Sequence, residues 1–221
     1  MNAPELLLVD KPAGITSHDV VDAARRIFKI RKIGHAGTLD PFATGLLILG
    51  IGPGTKKLTE LVGLDKTYLA TARLGATSTT DDPEGEIVET RSSQLVARSS
   101  KTPTRDAVEE ALKKYRGTFE QTSPLYSAKK IKGQKMYELA RKGLGATVEL
   151  PKKMVTISGL KVLEYSWPFL TLEVSCSSGT YIRALARDIG RDLGCGAYLT
   201  ALRRTRIGEF KIEDAKKLDS F

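Results

Sequence analysis

The stretch Gly34-His35-Ala36-Gly37-Thr38-Leu39-Asp40-Pro41-Phe42-Ala43-Thr44-Gly45, set directly before the apolar run Leu46-Leu47-Ile48-Leu49, constrains the fold more than any other part of the chain. Glycine tolerates backbone paths that a Cβ resists, so Gly34, Gly37 and Gly45 permit tight turns on both sides of one carboxylate. Pro41 biases Asp40 toward extended backbone. The segment reads as a stiff loop that presents the Asp40 side chain and then feeds a buried strand. An aspartate of ordinary pKa, about 3.9, is ionised at neutral pH and can act as nucleophile or base with no cofactor to activate it. An Asp-Pro pair is also a common turn, so the chemical reading depends on the rest of the chain.

Glu5 to Val9 reads as a short buried strand ended by a Lys11-Pro12-Ala13-Gly14 turn. Ser17 then caps a helix with Val20, Val21, Ala24, Ile27 and Phe28 on one face and Arg25, Arg26 and Lys29 on the other. Leu46–Ile51 and Lys66–Leu74 are strand candidates. In the second, Tyr68, Ala70 and Ala72 alternate with Thr67, Leu69, Thr71 and Arg73, which sends Tyr68 and Arg73 to opposite sides. Residues Ser92 to Thr104 are polar and irregular, and Thr104 caps a helix with Val108, Ala111, Leu112 and Tyr115 at helical spacing. Val155–Leu163 and Leu170–Cys176 read as late strands. A helix after Gly179 carries Ile182, Leu185, Ala186, Ile189 and Leu193 on its apolar face and Arg183, Arg187 and Arg191 along the other flank. Single helices between strands, with no internal repeat, argue for an α+β or mixed α/β domain and against a doubly wound one. Gly50 to Lys57 lacks the glycine before lysine and the hydroxyl after it that a P-loop needs, and reads as a turn after a strand.

A chain of 221 residues can bury one substantial core, and a single domain over 1–221 fits best. The net charge of +9 and pI near 9.5 suit a polyanionic partner. The excess is uneven: from Lys129 to Lys161 there are nine Lys or Arg against Glu138 and Glu149 alone, either a solvated basic face or a nucleic-acid contact. Cys176 and Cys195, with His18 and His35, have no zinc-like spacing, so no metal is expected. No leader is read, and the apolar runs fall well short of the ~20 residues of a membrane span. A cytoplasmic protein with reduced thiols is the expectation.

Beyond Gly34–Gly45, the chain carries Asp10-Lys11-Pro12-Ala13-Gly14, Asp65-Lys66-Thr67-Tyr68 and Arg73-Leu74-Gly75. It also carries Pro124-Leu125-Tyr126-Ser127-Ala128-Lys129 with Gly133 and Tyr137, Cys176-Ser177-Ser178-Gly179-Thr180-Tyr181-Ile182-Arg183, and Leu193-Gly194-Cys195-Gly196-Ala197 leading to Leu202-Arg203-Arg204. In this order and spacing, from about Leu6 to about Ala215, the chain resembles the TruB family of tRNA pseudouridine synthases. The resemblance implies a pseudouridine synthase fold, with a central mixed, mostly antiparallel sheet flanked by helices and a basic thumb-like insertion at about 124–153. It implies isomerisation of uridine 55 in the T-arm of tRNA, with no cofactor. The ribose C1′ to N1 bond of a flipped nucleotide breaks, the uracil rotates, and C5 joins C1′. Three roles for the carboxylate remain open: attack on C1′, attack on C6, or prior removal of a ribose proton.

On this resemblance Asp40 is the catalytic residue. Uridine folded into a tRNA arm must be extruded before its atoms can be reached, at a few kcal/mol. His35 lies against the T-arm near the flipped nucleotide. Tyr68 offers a face for the uracil and a hydroxyl suited to accepting the C5 proton. Arg183 keeps Asp40 ionised and oriented by a charge-assisted pair. Tyr181 and Leu202 wall the base pocket, and Lys11 joins the binding set in a positional rather than chemical role. Lys129, Lys130, Lys132, Lys135 and Arg141 grip the RNA backbone.

The chain stops at Phe221, shortly after Ile212-Glu213-Asp214-Ala215, and the expectation is that the C-terminal PUA-type domain of bacterial members is absent. Ser123 stands where many relatives have a second proline. Two rival readings are a guide-RNA-dependent synthase subunit, disfavoured by the Ser127–Arg141 stretch, and a T-arm folding chaperone with catalysis incidental. The partner expected is tRNA, without guide RNA or membrane, and the protein is expected to be a monomer.

Overall fold

The structure, a computed structural model, describes residues 3–90, 102–126, 130–131, 134–135 and 150–220. Its strands are β1 (Leu6–Lys11), β2 (Ile33–His35), β3 (Thr44–Ile51), β4 (Lys66–Leu74), β5 (Ala76–Ser78), β6 (Ile87–Glu89) and β7 (Gly117–Thr122). They continue with β8 (Lys130–Ile131), β9 (Gln134–Lys135), β10 (Lys152–Ser166), β11 (Phe169–Cys176), β12 (Ala197–Ile207), β13 (Phe210–Lys211) and β14 (Lys216–Lys217). The helices are α1 (Ser17–Phe28), α2 (Leu58–Gly63), α3 (Arg105–Lys113) and α4 (Ile182–Asp192). The main sheet runs β14-β1-β3-β12-β4-β11-β10-β7, with β2 beside β3 and β13 beside β12, while β5-β6 and β8-β9 form two small sheets. This mixed, mostly antiparallel sheet with flanking helices is the architecture expected. The stretch from Ser92 to Lys101 and most of the thumb fall outside the described residues.

The chain divides into two compact units. The first comprises Met1–Ala70, Leu172–Ser178 and Ala201–Phe221. Its central strand β3 is buried on both faces, which is why Leu46–Leu49 is a continuous apolar run rather than an alternating one. Leu47, Leu49 and Ile51 pack with Leu7 and Val9 of β1 against Val20, Val21 and Ala24 of α1. Leu46 and Ile48 face the other way, onto Leu61 of α2 and Ile207 of β12. Alternation along one strand thus builds two cores, and each buried Leu or Ile contributes about 1.5–3 kcal/mol. Antiparallel pairing sets Leu7 opposite Leu49 and Val9 opposite Leu47. Parallel pairing sets Arg203 and Arg204 opposite Thr44 and Gly45.

The cap of α1 is Thr16, one residue before the position expected. Thr16 Oγ1 accepts from the Asp19 amide at 3.1 Å, and the Asp19 carboxylate accepts from the Thr16 amide at 2.7 Å, a reciprocal capping box. Ser17 is thereby free for a tertiary role, and its Oγ accepts from the Leu39 amide at 2.8 Å while donating to the Leu39 carbonyl at 3.1 Å. At the far end Lys29 takes the left-handed conformation with φ 57° and stops the helix. Ile27 is more exposed than its helical spacing suggested.

The second unit comprises Thr71–Thr171 and Gly179–Thr200. Here β10 and β7 pair antiparallel, with Val155 opposite Phe119. Helix α3 is capped by Thr104, as its sequence indicates, and buries Val108 and Leu112. Helix α4 buries Ile182, Leu185, Ala186 and Ile189.

Candidate active site

The loop between β2 and β3 is fastened at almost every residue around Asp40. The Ala36 amide donates to the Ile48 carbonyl at 2.8 Å, and Leu39 is held by Ser17. The Ala43 amide donates to the Asp40 carbonyl at 3.1 Å, which closes a turn with Pro41 at the position proline favours. The Pro41 carbonyl accepts from the Gly14 amide at 2.9 Å and from Lys11 Nζ at 3.2 Å. Lys11 is fully buried, and its ammonium also donates to the carbonyls of Pro12 at 2.8 Å and Ile15 at 2.7 Å. One lysine thereby ties the Asp40 loop to the turn that follows β1. Asp40 itself is half-buried.

Two glycines of the loop are conformationally required. Gly37 sits at φ +92° and Gly45 at φ +106°. A Cβ on Gly45 would lie 2.3 Å from the Arg204 carbonyl oxygen, so any side chain there would push β3 and β12 apart.

Tyr68, on β4 of the same unit, is 8% exposed. Burial, first of all, pushes its phenol above the ordinary 10.0; the Arg204 charge and hydrogen bond pull it back, while Cys176 and Asp40 add to the rise. The Asp40 carboxylate thus lies within electrostatic reach of the Tyr68 hydroxyl. His35 ends β2, and burial, with the nearby charges of Arg204 and His18, holds its imidazole below the ordinary 6.5. It is neutral at pH 7, and its Nδ1 is buried without a hydrogen-bond partner among the described residues. Leu202 of β12 is 7% exposed.

Arg204 received no role from the sequence, yet among the described residues it is the largest side chain below 2% exposure. Its Nε donates to the Leu46 carbonyl at 2.8 Å, its Nη2 to Gly37 at 3.0 Å and its Nη1 to Thr38 at 3.4 Å. The one available signal was a cation in a strand whose neighbours alternate buried and exposed.

Two further candidates lie in the second unit. Arg183, in the first turn of α4, is 5% exposed. Its Nη1 donates to Asp82 Oδ2 and to the Thr80 carbonyl, both at 2.8 Å, and its Nη2 to the Tyr126 carbonyl at 2.9 Å. Asp82 is 2% exposed and also accepts from Thr80 Oγ1 and from the Glu84 amide. The arginines of α4 therefore do not form one solvated flank: Arg183 is buried against Asp82, Arg187 donates to Asp81 at 3.0 Å, and Arg191 is exposed. Burial pushes the Asp81 carboxyl up to about 6, against the opposing charges of Arg187 and Arg183. The Asp81-Asp82 pair was the missed signal. Tyr181 precedes α4 and is locked by Gln121, whose Oε1 accepts from the Tyr181 amide at 2.9 Å and whose Nε2 donates to the Tyr181 carbonyl at 3.0 Å.

Of the thumb residues, Lys129, Lys132 and Arg141 lie outside the described residues. The backbones of Lys130 and Lys135 pair across β8 and β9. Among the described residues no His, Cys, Asp and Glu cluster could hold a metal ion, and no helix is long and apolar enough to cross a membrane.

A carboxylate on a clamped turn, within electrostatic reach of a buried tyrosine, suits covalent or proton-transfer chemistry. The model of the TruB family pseudouridylate synthase N-terminal domain matches residues 25–182, and that of the tRNA pseudouridylate synthase B C-terminal domain matches residues 183–221. The chain belongs to the TruB family of pseudouridylate synthases. It is 48% identical to the tRNA pseudouridine synthase B of Corynebacterium diphtheriae, over 97% of this chain and 71% of that protein. It is equally 48% identical to that of Streptomyces avermitilis, with the same shares covered. The chain is thus an isomerase that forms pseudouridine in tRNA. Among solved structures, a Cbf5-Nop10-Gar1 complex is similar at TM-score 0.73 and 28% identity, over 97% of this chain and 52% of that one. A pseudouridylate synthase at TM-score 0.50 and 16% identity shares the fold.

Proposed function

We propose that the chain isomerises uridine 55 in the T-arm of tRNA, acting by base flipping with Asp40 as the reacting carboxylate. The observation that carries this reading is the fastening of the Asp40 turn within electrostatic reach of the Tyr68 hydroxyl. A base drawn out of its stack meets a fixed acid and a fixed tyrosine, so little ordering remains to be done at the moment of reaction. The C1′–N1 bond breaks and a C1′–C5 bond forms. The C5 proton passes to the Tyr68 oxygen as the phenol, kept protonated by burial, gives up its own proton, and N1 ends protonated, so the net change is an isomerisation. His35, neutral and half-buried at the end of β2, is the residue taken to lie beside the flipped nucleotide. Leu202 walls the base and Lys11 holds the turn. We take 1–221 as one catalytic domain that works as a cytoplasmic monomer. No guide RNA is needed on this reading, which the 48% identity to curated tRNA pseudouridine synthase B proteins supports over the 28% to the matched chain of the Cbf5-Nop10-Gar1 complex.

The test is tritium release from a tRNA transcript carrying C5-labelled uridine, with purified protein and no guide RNA. A transcript with cytidine at position 55 releases nothing on this reading. Undiminished release from it would place the reaction at another uridine.

The thumb is the second part of the reading. Reversing Lys129, Lys130 and Lys132 to glutamate weakens tRNA binding and flattens its salt dependence by about 0.7–0.9 in log–log slope for each phosphate no longer neutralised. An unchanged slope in a filter-binding series would remove these lysines from the RNA surface.

A further inference from the structure

Arg204 is a buried cation that, among the described residues, has no carboxylate within ion-pair distance. Desolvating a guanidinium costs several kcal/mol, so its position must be repaid by what it holds. It holds both arms of one loop. Gly37 and Thr38 stand three and two residues before Asp40, Leu46 stands six after it, and all three carbonyls accept from the same guanidinium. The same positive charge lies within electrostatic reach of the Tyr68 phenol. The parallel register of β12 on β3, with Arg204 opposite Gly45, brings it there. Gly45 is what lets the two backbones approach.

We propose that Arg204 is a positioning residue of the isomerisation: one guanidinium that fixes both arms of the loop carrying Asp40. The proposal rests on the reading that Asp40 and Tyr68 act on the base. The planar fork suits the task because its nitrogens reach separate acceptors in fixed directions, whereas an ammonium is a point donor on a flexible stem. If Arg204 only supported the fold, its loss would lower stability and leave the chemical step of the folded fraction intact. Misplacing one of two cooperating groups instead slows the step while RNA binding persists.

The experiment compares single-turnover tritium release, tRNA affinity and thermal melting for wild type, Arg204→Lys, Arg204→Gln and Asp40→Asn. Arg204→Gln is expected to bind tRNA within about threefold of wild type and to turn over about a hundredfold to a thousandfold more slowly. Arg204→Lys, which keeps the charge and some of the donors, recovers about tenfold of that loss. Should Arg204→Gln not fold, Arg204→Lys decides, with affinity kept and the rate at least about tenfold down. A rate close to wild type overturns the proposal, as does a rate loss matched by an equal affinity loss. Failure of both variants to fold would assign Arg204 to stability alone and overturn it equally. An active Asp40→Asn would sink the underlying reading, whereas an inactive one beside fully active Arg204 variants would sink only the role given to Arg204.

Discussion

Asp40→Asn is expected to bind tRNA with near wild-type affinity and to release no measurable tritium. The amide is isosteric, and the loop keeps bonds made by neighbouring residues and by the Asp40 backbone: Leu39 to Ser17, Pro41 to Gly14 and Lys11, Ala43 to the Asp40 carbonyl. The turn should therefore survive the substitution. What disappears is the negative charge and the nucleophilic or basic oxygen, on which all three candidate routes depend. A loss of more than about a thousandfold is expected when such a group is removed from a site that otherwise stays assembled. Activity at a tenth of wild type would end the case for Asp40 as the reacting group.

The second large effect concerns stability. Arg183→Met removes the guanidinium bonded to Asp82 and leaves a carboxylate that is 2% exposed without its counter-charge. Stranding one partner of a buried ion pair costs about 3–5 kcal/mol. For a domain of this size the melting temperature should fall by on the order of 10 °C. The double variant Arg183→Met with Asp82→Asn should recover most of that loss. The asparagine is neutral, yet its carbonyl oxygen can still accept from Thr80 Oγ1 and the Glu84 amide. Thermal melts of the two variants side by side decide the matter: equal destabilisation would mean that the pair's charge is not what holds this region.

The local parts of this design were legible in the sequence. Glycines around an Asp-Pro turn announced the loop, and alternation along Lys66–Leu74 put Tyr68 on a buried face, as the structure has it. The misplacements were of another kind. Thr16 and Ser17 are both capping residues, and which of them caps α1 is decided by Leu39, 22 residues beyond Ser17. Arg183 and Asp82 are 101 residues apart, and Arg204 lies 167 from Gly37. Charged side chains are read as solvated by default, because burial of a charge is favourable only when specific partners arrive from elsewhere in the chain. Periodicity carries no record of such partners. The basic run from Lys129 was legible as charge alone.

The burial of Lys11 has a mechanical corollary. Three of its donors are spent on backbone carbonyls, one of them Pro41, and the ammonium has no exposure to water. If the turn swung outward, it would leave part of a full positive charge unsolvated in an apolar interior, at several kcal/mol. The Asp40 turn is an anvil rather than a flap. If Asp40 is the reacting carboxylate, the rearrangement that brings it and the nucleotide together falls on the RNA, whose stacked loop is the softer of the two bodies.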